Sequence, residues 1–382
     1  MNIKVLFFLA LTSLFFTKLN AQGWKHTYGN QHFHAGKGVV QLDNNDLMML
    51  VEADTATNFL RNRVSYLLRL NSAGTVIARD TFSLFFSQLE VLEDGQFLLY
   101  GLSPTPCIYK FNQHGIKCWQ RNFTKAIFKN GVHYDPSTIN GIVDLTDDNI
   151  FINLKYKIRN DAYALDGLQF LVKLDTQGNI ITTTRSNFER GTAHLQGGRV
   201  HHQEVVFGHG FGNALLCKTN LRGEVIWNDE TAYRKHLEAL LVADNQELII
   251  TETGGTISRI NTNGTLIWTN STLANFGFQT DLTQLIKCLD GGFVIAGNIN
   301  NYDLLVLKID AAGNFVWKQI FESKHIHRIK GLIETDDGCY VLSGLQKNEG
   351  SDPFKAFLLK TDLLGLAHSH VFDEQRRAES EK

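Results

Sequence analysis

With 382 residues the chain is long for one ordinary domain, and its 32 glycines against only 4 prolines exclude a proline-rich linker chain and suit many tight turns between strands. The 37 basic and 39 acidic residues leave a formal charge of −2, so there is no cationic excess with which to hold nucleic acid or an anionic membrane. Closed β arrays of this length fold as single units.

The first segment reads as an export signal, residues 1–21. Lys4 supplies a positive start, Val5 to Phe16 an apolar run, and Leu19-Asn20-Ala21 a small-residue cleavage site before Gln22. A membrane-spanning helix needs roughly 20 apolar residues, more than this run offers, and no later stretch reaches that length. No cysteine follows the cleavage site to carry a lipid. The mature chain is therefore expected to be exported and unanchored, in the periplasm, at the cell surface or outside the cell, without membrane insertion and as a monomer.

Trp24-Lys25-His26-Thr27-Tyr28 comes next and matches a much later segment, Trp317-Lys318-Gln319-Ile320-Phe321. The later segment closes one copy of a hairpin written seven times along the chain. Each copy ends in a glycine: Gly74, Gly115, Gly178, Gly223, Gly264, Gly313 and Gly365. Five positions earlier stands a base (Arg69, Lys110, Lys173, Lys218, Arg259, Lys308, Lys360), and three positions earlier Asn or Asp (Asn71, Asn112, Asp175, Asn220, Asn261, Asp310, Asp362). Four positions after the glycine, four copies carry tryptophan: Trp119, Trp227, Trp268 and Trp317.

Asx followed three residues later by Gly describes a type I turn with a left-handed glycine, which closes a short hairpin through a bulge. The residues before the turn, such as Leu304-Leu305-Val306-Leu307, and after it, such as Phe315-Val316-Trp317, are strand formers. Upstream of each copy lies a second hairpin signal, as in Asp43-Asn44-Asn45-Asp46, Glu93-Asp94-Gly95, Asp147-Asp148-Asn149, Asp290-Gly291-Gly292 and Asp336-Asp337-Gly338. Each copy thus predicts four short strands, a to d, in two hairpins. The fourth copy fits worst, because Gly197-Gly198 and His201 to Glu204 compete for its a–b turn.

Glycine-to-glycine spacings run from 41 residues (Gly74 to Gly115) to 63 (Gly115 to Gly178), and no helical periodicity of useful length interrupts them. Four-stranded units at this period describe the blades of a β-propeller. The fold class expected is all-β, a single β-propeller of seven four-stranded blades (eight being the alternative count) over residues 22–372, followed by a charged flexible tail at 373–382. Trp24 to Tyr28 would add to the last blade as a closing d strand and remove the open sheet edge, although residues 366–372 compete for that place. All five tryptophans then share one register and are expected to pack between blades.

The five cysteines are Cys107, Cys118, Cys217, Cys288 and Cys339. The last three fall inside predicted strands, and Cys118 is predicted opposite Tyr109, which leaves Cys107 only a diagonal neighbour and a poor disulfide partner. They read as buried thiols packing as small hydrophobes.

The string Val306-Leu307-Lys308-Ile309-Asp310-Ala311-Ala312-Gly313-Asn314-Phe315-Val316-Trp317 resembles the blade motif of quinoprotein-like propellers. The whole set is similar to uncharacterised secreted bacterial β-propeller repeat proteins with quinoprotein-like or WD40-like blades, which pair a DGG-type turn with a K-x-D-x-x-G-x-x-x-W hairpin. The resemblance implies the fold and little of the function. Quinoprotein dehydrogenases place adjacent cysteines and a calcium site beside their cofactor; here no two cysteines are adjacent and no calcium cluster is evident, so no cofactor is expected. No Gly-flanked nucleophilic serine, HExxH or phosphate-binding loop occurs.

Two functions from different classes remain. One is an exported, non-catalytic binding or scaffold module for a glycan, peptide or protein partner. The other is a secreted hydrolase, lyase or oxidoreductase whose active site is dispersed over loops. Both tight turns of each copy lie on one rim, so the variable b–c and d–a connections share the other: Asp54 to Arg63, Lys125 to Pro136, Tyr156 to Asp166 and Gln346 to Pro353. Candidate binding residues there are Arg61, Arg63, His133, Tyr134, Arg159, Tyr163, Phe211, Tyr302 and Arg328. Histidines recur as His-x-His, and His32, His34, His325 and His327 would meet at the ring junction, where zinc is the ion expected of an imidazole-rich site. His368 and His370 form a third, more remote pair.

Overall fold

The computed structural model of the protein describes residues 23–29, 32–54, 63–92, 94–102, 105–129, 132–144, 149–159, 167–185, 204–209, 215–220, 225–229, 237–243, 247–271, 280–300, 302–323, 325–347 and 353–367. The expected signal segment, the expected charged tail, His368 and His370 lie outside them, as does 186–203 with most of the competing turn signals of the fourth copy. Every regular element among the described residues is a β-strand, and the strands form seven antiparallel sheets.

A first strand, β1 (Trp24–Tyr28), precedes sheet I, made of β2 (His34–Gln41), β3 (Leu47–Asp54), β4 (Arg63–Leu70) and β5 (Val76–Phe82). Sheet II holds β6 (Phe85–Val91), β7 (Phe97–Leu102), β8 (Pro106–Phe111) and β9 (Lys117–Asn122). Sheet III has five strands, β10 (Ile127–Lys129), β11 (Val132–Asp144), β12 (Ile150–Ile158), β13 (Gly167–Leu174) and β14 (Ile180–Arg185). Sheet IV has three among the described residues, β15 (Glu204–His209), β16 (Leu215–Asn220) and β17 (Val225–Asp229). Sheet V comprises β18 (Leu237–Val242), β19 (Leu248–Glu252), β20 (Thr256–Ile260) and β21 (Leu266–Asn270). Sheet VI comprises β22 (Thr280–Lys287), β23 (Phe293–Ile299), β24 (Asp303–Ile309) and β25 (Phe315–Phe321). Sheet VII is β26 (Ile326–Glu334), β27 (Tyr340–Lys347) and β28 (Lys355–Lys360), with β1 as its fourth strand.

The hairpin chemistry is local and regular. In six copies the Asx side chain accepts the backbone N–H groups two and four residues on, as Asp310 Oδ1 does from Ala312 at 2.9 Å and Asn314 at 2.8 Å. The glycine of those copies adopts φ between 73° and 85°, where any side chain is strained, and in five of them a bulge follows the base. Each base faces the fourth-strand position directly: Lys308 opposes Trp317, Lys110 opposes Trp119 and Lys218 opposes Trp227. Lys360 opposes Trp24 in the same way, so β1 takes the place and register of a fourth strand in sheet VII.

Three cysteine positions differ from expectation, one of them because of the bulge. It pairs Tyr109 with Gln120, leaving Cys118 as the extra, exposed residue and not the buried partner of Tyr109. Cys288 and Cys339 flank a–b turns rather than lying within strands, though both are buried. Cys107, Cys118, Cys288 and Cys339 are free thiols.

The apolar cores lie between sheets, face to face. One joins Val40, Leu50 and Leu67 of sheet I to Phe86, Phe97 and Leu99 of sheet II; others join II to III, V to VI, VI to VII and VII to I. All five tryptophans serve these junctions, lying across the c–d glycine of the next sheet: Trp24 on Gly74, Trp119 on Gly178, Trp227 on Gly264, Trp268 on Gly313 and Trp317 on Gly365. Burying such a ring is worth up to a few kcal/mol at roughly 25 cal/mol per Å².

First strands of successive sheets run side by side, β15 with β18, β18 with β22, β22 with β26, β26 with β2 and β2 with β6, and β7 meets β11. Five of these first strands carry a bulge, at Lys37, Ser87, Glu238, Leu282-Thr283 and Lys330, and β11 carries two, at Ser137 and Asn140. Glycine permits the closest approach there. A Cβ on Gly331 would lie 2.9 Å from the Cα of Gly38, and one on Gly38 would lie 2.7 Å from Cβ of Leu89.

Candidate functional site

The two ends of the sheets differ chemically. At the tight-turn end the recurring base reaches the acid of the neighbouring a–b turn: Arg69 to Asp46 at 2.8 Å, Arg259 to Glu247 at 2.5 Å, Lys308 to Asp290 at 2.6 Å and Lys360 to Asp337 at 2.7 Å. Sheets are also tied to each other there, since Gln41 Oε1 accepts the Asp336 N–H at 2.9 Å. A cavity of about 250 Å³ opens at this end between sheets I, II and VII, with Asp43, Glu334 and Asp336 in its wall. Its character is acidic.

At the other end, basic side chains gather around the first strands. Glu52, nearly fully buried at the end of β3, accepts from Lys37 Nζ at 2.7 Å and Arg63 at 3.1 Å. Two cations are what a buried carboxylate needs to offset the loss of water. Both also lie over the Phe85 ring of sheet II, Arg63 at 5.3 Å and Lys37 at 5.9 Å from its centroid.

Lys330 is the bulged residue of β26, as Lys37 is of β2, and the glycines that follow them, Gly331 and Gly38, touch. Its side chain reaches solvent, yet the surrounding protein, with Lys37 and Arg328, holds its pKa below the ordinary lysine value. Lys330 has no ion-pair partner among the described residues. Arg328 lies 3.8 Å from Asp281, both half exposed. Beyond Asp281, the Leu282 N–H donates to Glu238 Oε2. Burial, with Asp281 adding its charge, pushes the Glu238 carboxyl up to about 7.

The His34 and His327 rings are engaged by protein, whereas Nδ1 of His325 is buried without a hydrogen-bond partner. His34 Nδ1 meets the His32 carbonyl at 2.8 Å, its ring stacks on Tyr66, and burial lowers its pKa. His327 is fully buried, with Nδ1 at 2.9 Å from the His325 carbonyl and 3.1 Å from that of Tyr302. Those acceptors fix the proton on Nδ1, so Nε2 accepts from Lys25 Nζ at 3.2 Å, with Gln346 Oε1 also 3.2 Å away. Burial, then the Lys25 charge, lowers His327 to about 3, and burial brings Lys25 down to about 8. The His325 and His327 rings lie 6.4 Å apart, but among the described residues no three His, Cys, Asp or Glu side chains form a group able to hold a metal.

Other expected binding residues scatter. Arg61, Tyr163 and Phe211 lie outside the described residues. His133 and Tyr134 sit on strand β11 rather than a loop, because 127–129 forms the extra strand β10 and pairs with them. His133 lies against Phe128, and Tyr134 packs on the core between sheets II and III. Arg159 is held by Asp135 at 2.6 Å, and Tyr302 is exposed. Arg63 and Arg328 are the two that the structure brings to the basic end.

No family model matches this chain. No curated protein matches it either. Among solved structures it is similar to a protein of unknown function from Bacteroides caccae, at 12% identity over 76% of this chain and 94% of that one, with a TM-score of 0.44. It is also similar to BamB from Moraxella catarrhalis, at 12% identity over 84% of each chain, with a TM-score of 0.43.

Lys37, Lys330, Glu238 and Phe85 were not among the sequence candidates. A signal for the lysines existed: a charged residue beside glycine within a strand, as in Gly36-Lys37-Gly38 and Lys330-Gly331, marks a bulge.

Proposed function

We propose that the seven sheets close into a single β-propeller sealed by β1, and that this exported ring is a non-catalytic binding or scaffold module presenting its b–c and d–a rim to a glycan, peptide or protein. Closure is supported by the neighbour order of the first strands and by the register of Trp24 against Lys360, which repeats that of Trp317 against Lys308. Binding is supported above all by the contrast between the ends. Turn and base–acid pairs stiffen one, whereas the other gathers Lys37, Arg63, Arg328 and Lys330 with exposed Tyr302 beside loops of unequal length. No helix among the described residues is long and apolar enough to cross a membrane.

A binding array of glycans, peptides and extracellular proteins tests this reading. Arg63→Ala, Tyr302→Ala and Arg328→Ala should each weaken the ligand found, while changes in the a–b and c–d turns, such as Asn44→Ala, should not. Loss confined to the turn variants would reverse the assignment of the faces.

One observation favours the catalytic alternative, a hydrolase or lyase. Glu238, a carboxyl raised to about 7 by burial and by the neighbouring Asp281, is the kind of group that acid–base chemistry uses. Its Oε2 is already occupied by the Leu282 N–H, which serves the bulge. Turnover in glycan and peptide hydrolysis screens that disappears in Glu238→Gln would replace the binding reading with this one.

A further inference from the structure

We propose that the basic axial opening binds carboxylate side chains of an acidic peptide segment, gripped by Lys330 together with Lys37 and Arg328. This rests on the binding reading above and names the ligand class. The geometry comes from two bulges. A regular strand turns alternate side chains toward its two faces, but a bulged residue is released from that alternation and re-aimed. Lys37 and Lys330 are the bulged residues of adjacent first strands whose next residues, Gly38 and Gly331, are in contact, and the Lys330 ammonium lies close enough to Lys37 and Arg328 to feel both charges.

The charges are unequal there. Lys37, Arg63, Arg328 and Lys330 face Glu52 and Asp281. Glu52 is consumed by Lys37 and Arg63, Asp281 reaches only Arg328 and only at 3.8 Å, and Lys330 has no ion-pair partner among the described residues. The Lys37–Lys330–Arg328 group is like-charged and partly enclosed, an arrangement that an arriving anion relieves. The opposite end, with Asp43, Glu334 and Asp336 around its cavity, repels the same anion, so a ligand would enter from one side only.

Peptide is favoured over acidic glycan by the state of the aromatic rings. All five tryptophans lie across glycines of the next sheet and the Phe85 ring is covered by Lys37 and Arg63, so among the described residues neither the tryptophans nor Phe85 offers a vacant stacking face beside these charges, and Tyr302 is the exposed ring at that end. Carboxylate recognition by ammonium and guanidinium donors needs no such platform.

The test uses the full mature chain and fluorescein-labelled oligoglutamate, with oligolysine and polygalacturonate alongside, read by polarisation. Oligoglutamate should bind, and binding should weaken at least about tenfold when ionic strength rises from about 0.01 M to about 0.15 M and the screening length shrinks from about 30 Å to about 8 Å. The Lys37→Gln, Lys330→Gln double variant should lose at least about tenfold in affinity, the single Lys330→Gln an intermediate amount, and Lys117→Gln, on the outer strand β9, none. Equal affinity in native and double-variant protein, or binding of polygalacturonate in preference to oligoglutamate, overturns the proposal. Absence of oligoglutamate binding overturns it too. In that case, a ligand from the array that still depends on Arg63 or Tyr302 leaves the broader binding reading standing.

Discussion

The indole of Trp24 lies across Gly74, a residue of a different sheet: a Cβ placed on that glycine would fall 2.7 Å from two ring carbons. The rest of β1 continues the contact. Trp24 Nε1 donates to the Ser72 carbonyl at 3.1 Å, His26 Nε2 meets that of Ala73 at 3.0 Å, and the Tyr28 hydroxyl donates to that of Gly74 at 2.7 Å. Three alternate side chains of one strand thus take three successive carbonyls of one turn, while the backbone of the strand pairs with β28. Sheets VII and I are joined by it.

The first prediction follows directly. Deleting residues 22–30 should lower the thermal midpoint sharply, because the edge of β28 and the turn at Gly74 lose their cover together. Trp24→Ala should cost about 3 kcal/mol, near the low end for truncating a tryptophan because the ring is only half buried. An unchanged midpoint in the deletion would mean that β1 contributes nothing to holding the two sheets together.

A second prediction separates backbone strain from docking. Gly291 and Gly313 share nearly the same φ, 82° and 85°, but a Cβ on Gly291 meets nothing within 4 Å, whereas one on Gly313 falls 2.6 Å from the Trp268 ring. Gly291→Ala should therefore cost about 1–2 kcal/mol of conformational strain alone. Gly313→Ala should add a further 1–3 kcal/mol or so of overcrowding. In a Trp268→Ala background the extra cost should vanish in a double-mutant cycle followed by denaturant unfolding. Persistence of the difference without the indole would rule out docking as its cause. Trp268 also shows how one copy departs from the others. Its Nε1–H has no hydrogen-bond partner, and the Ala311 carbonyl, whose equivalents serve Trp24, Trp119 and Trp227, accepts from Arg259 instead.

Much of this frame is legible in sequence because it is local. An Asx residue three positions before glycine specifies its own turn, and the copy of a tryptophan strand at Trp24 announces β1. What depends on one sheet meeting another is not legible. The glycines beside Lys37 and Lys330 hint locally at bulges, but that Gly38 meets Gly331 and so brings the two lysines onto adjacent strands side by side emerges only from packing. The His-x-His rule does bring the His325 and His327 rings near each other, but it says nothing of Lys25, which approaches from nearly the whole chain length away and takes the nitrogen a metal would need. His133 and Tyr134 read as loop because 127–129 is too short a run to announce β10.

A third prediction concerns acid. His327 is neutral in the folded protein, its ring enclosed by Lys25, Gln346, His325 and Phe357. Its folded pKa of about 3 lies below the 6.5 of an unfolded chain, so between these values the unfolded form binds the extra proton. Stability attributable to this group is fully present above pH 6.5 and drains away as pH falls toward 3. By pH 5 the loss should be about 2 kcal/mol. His327→Gln, which cannot titrate, should show a smaller fall in denaturant midpoint between pH 7 and pH 5 than the native chain. Parallel pH profiles for the two proteins would refute the assignment to His327.

Glu238 should act with the opposite sign. Its folded pKa of about 7 stands above the 4.5 of an unfolded glutamate, so the folded form holds the proton more tightly between these values. The stabilisation this gives is complete below pH 4.5 and is lost as pH rises through 7; above that the buried carboxylate is a net burden beside Asp281. Glutamine keeps an oxygen to accept the Leu282 N–H while removing the charge. Glu238→Gln should therefore raise stability by about 1–2 kcal/mol at pH 8, a figure reduced from the full shift because the side chain retains some solvent. At pH 5 the gain should shrink toward zero. Denaturant titrations of both proteins at the two pH values measure it, and a gain that is equal at both, or larger at pH 5, would show that burial of charge at Glu238 is not what sets its carboxyl apart.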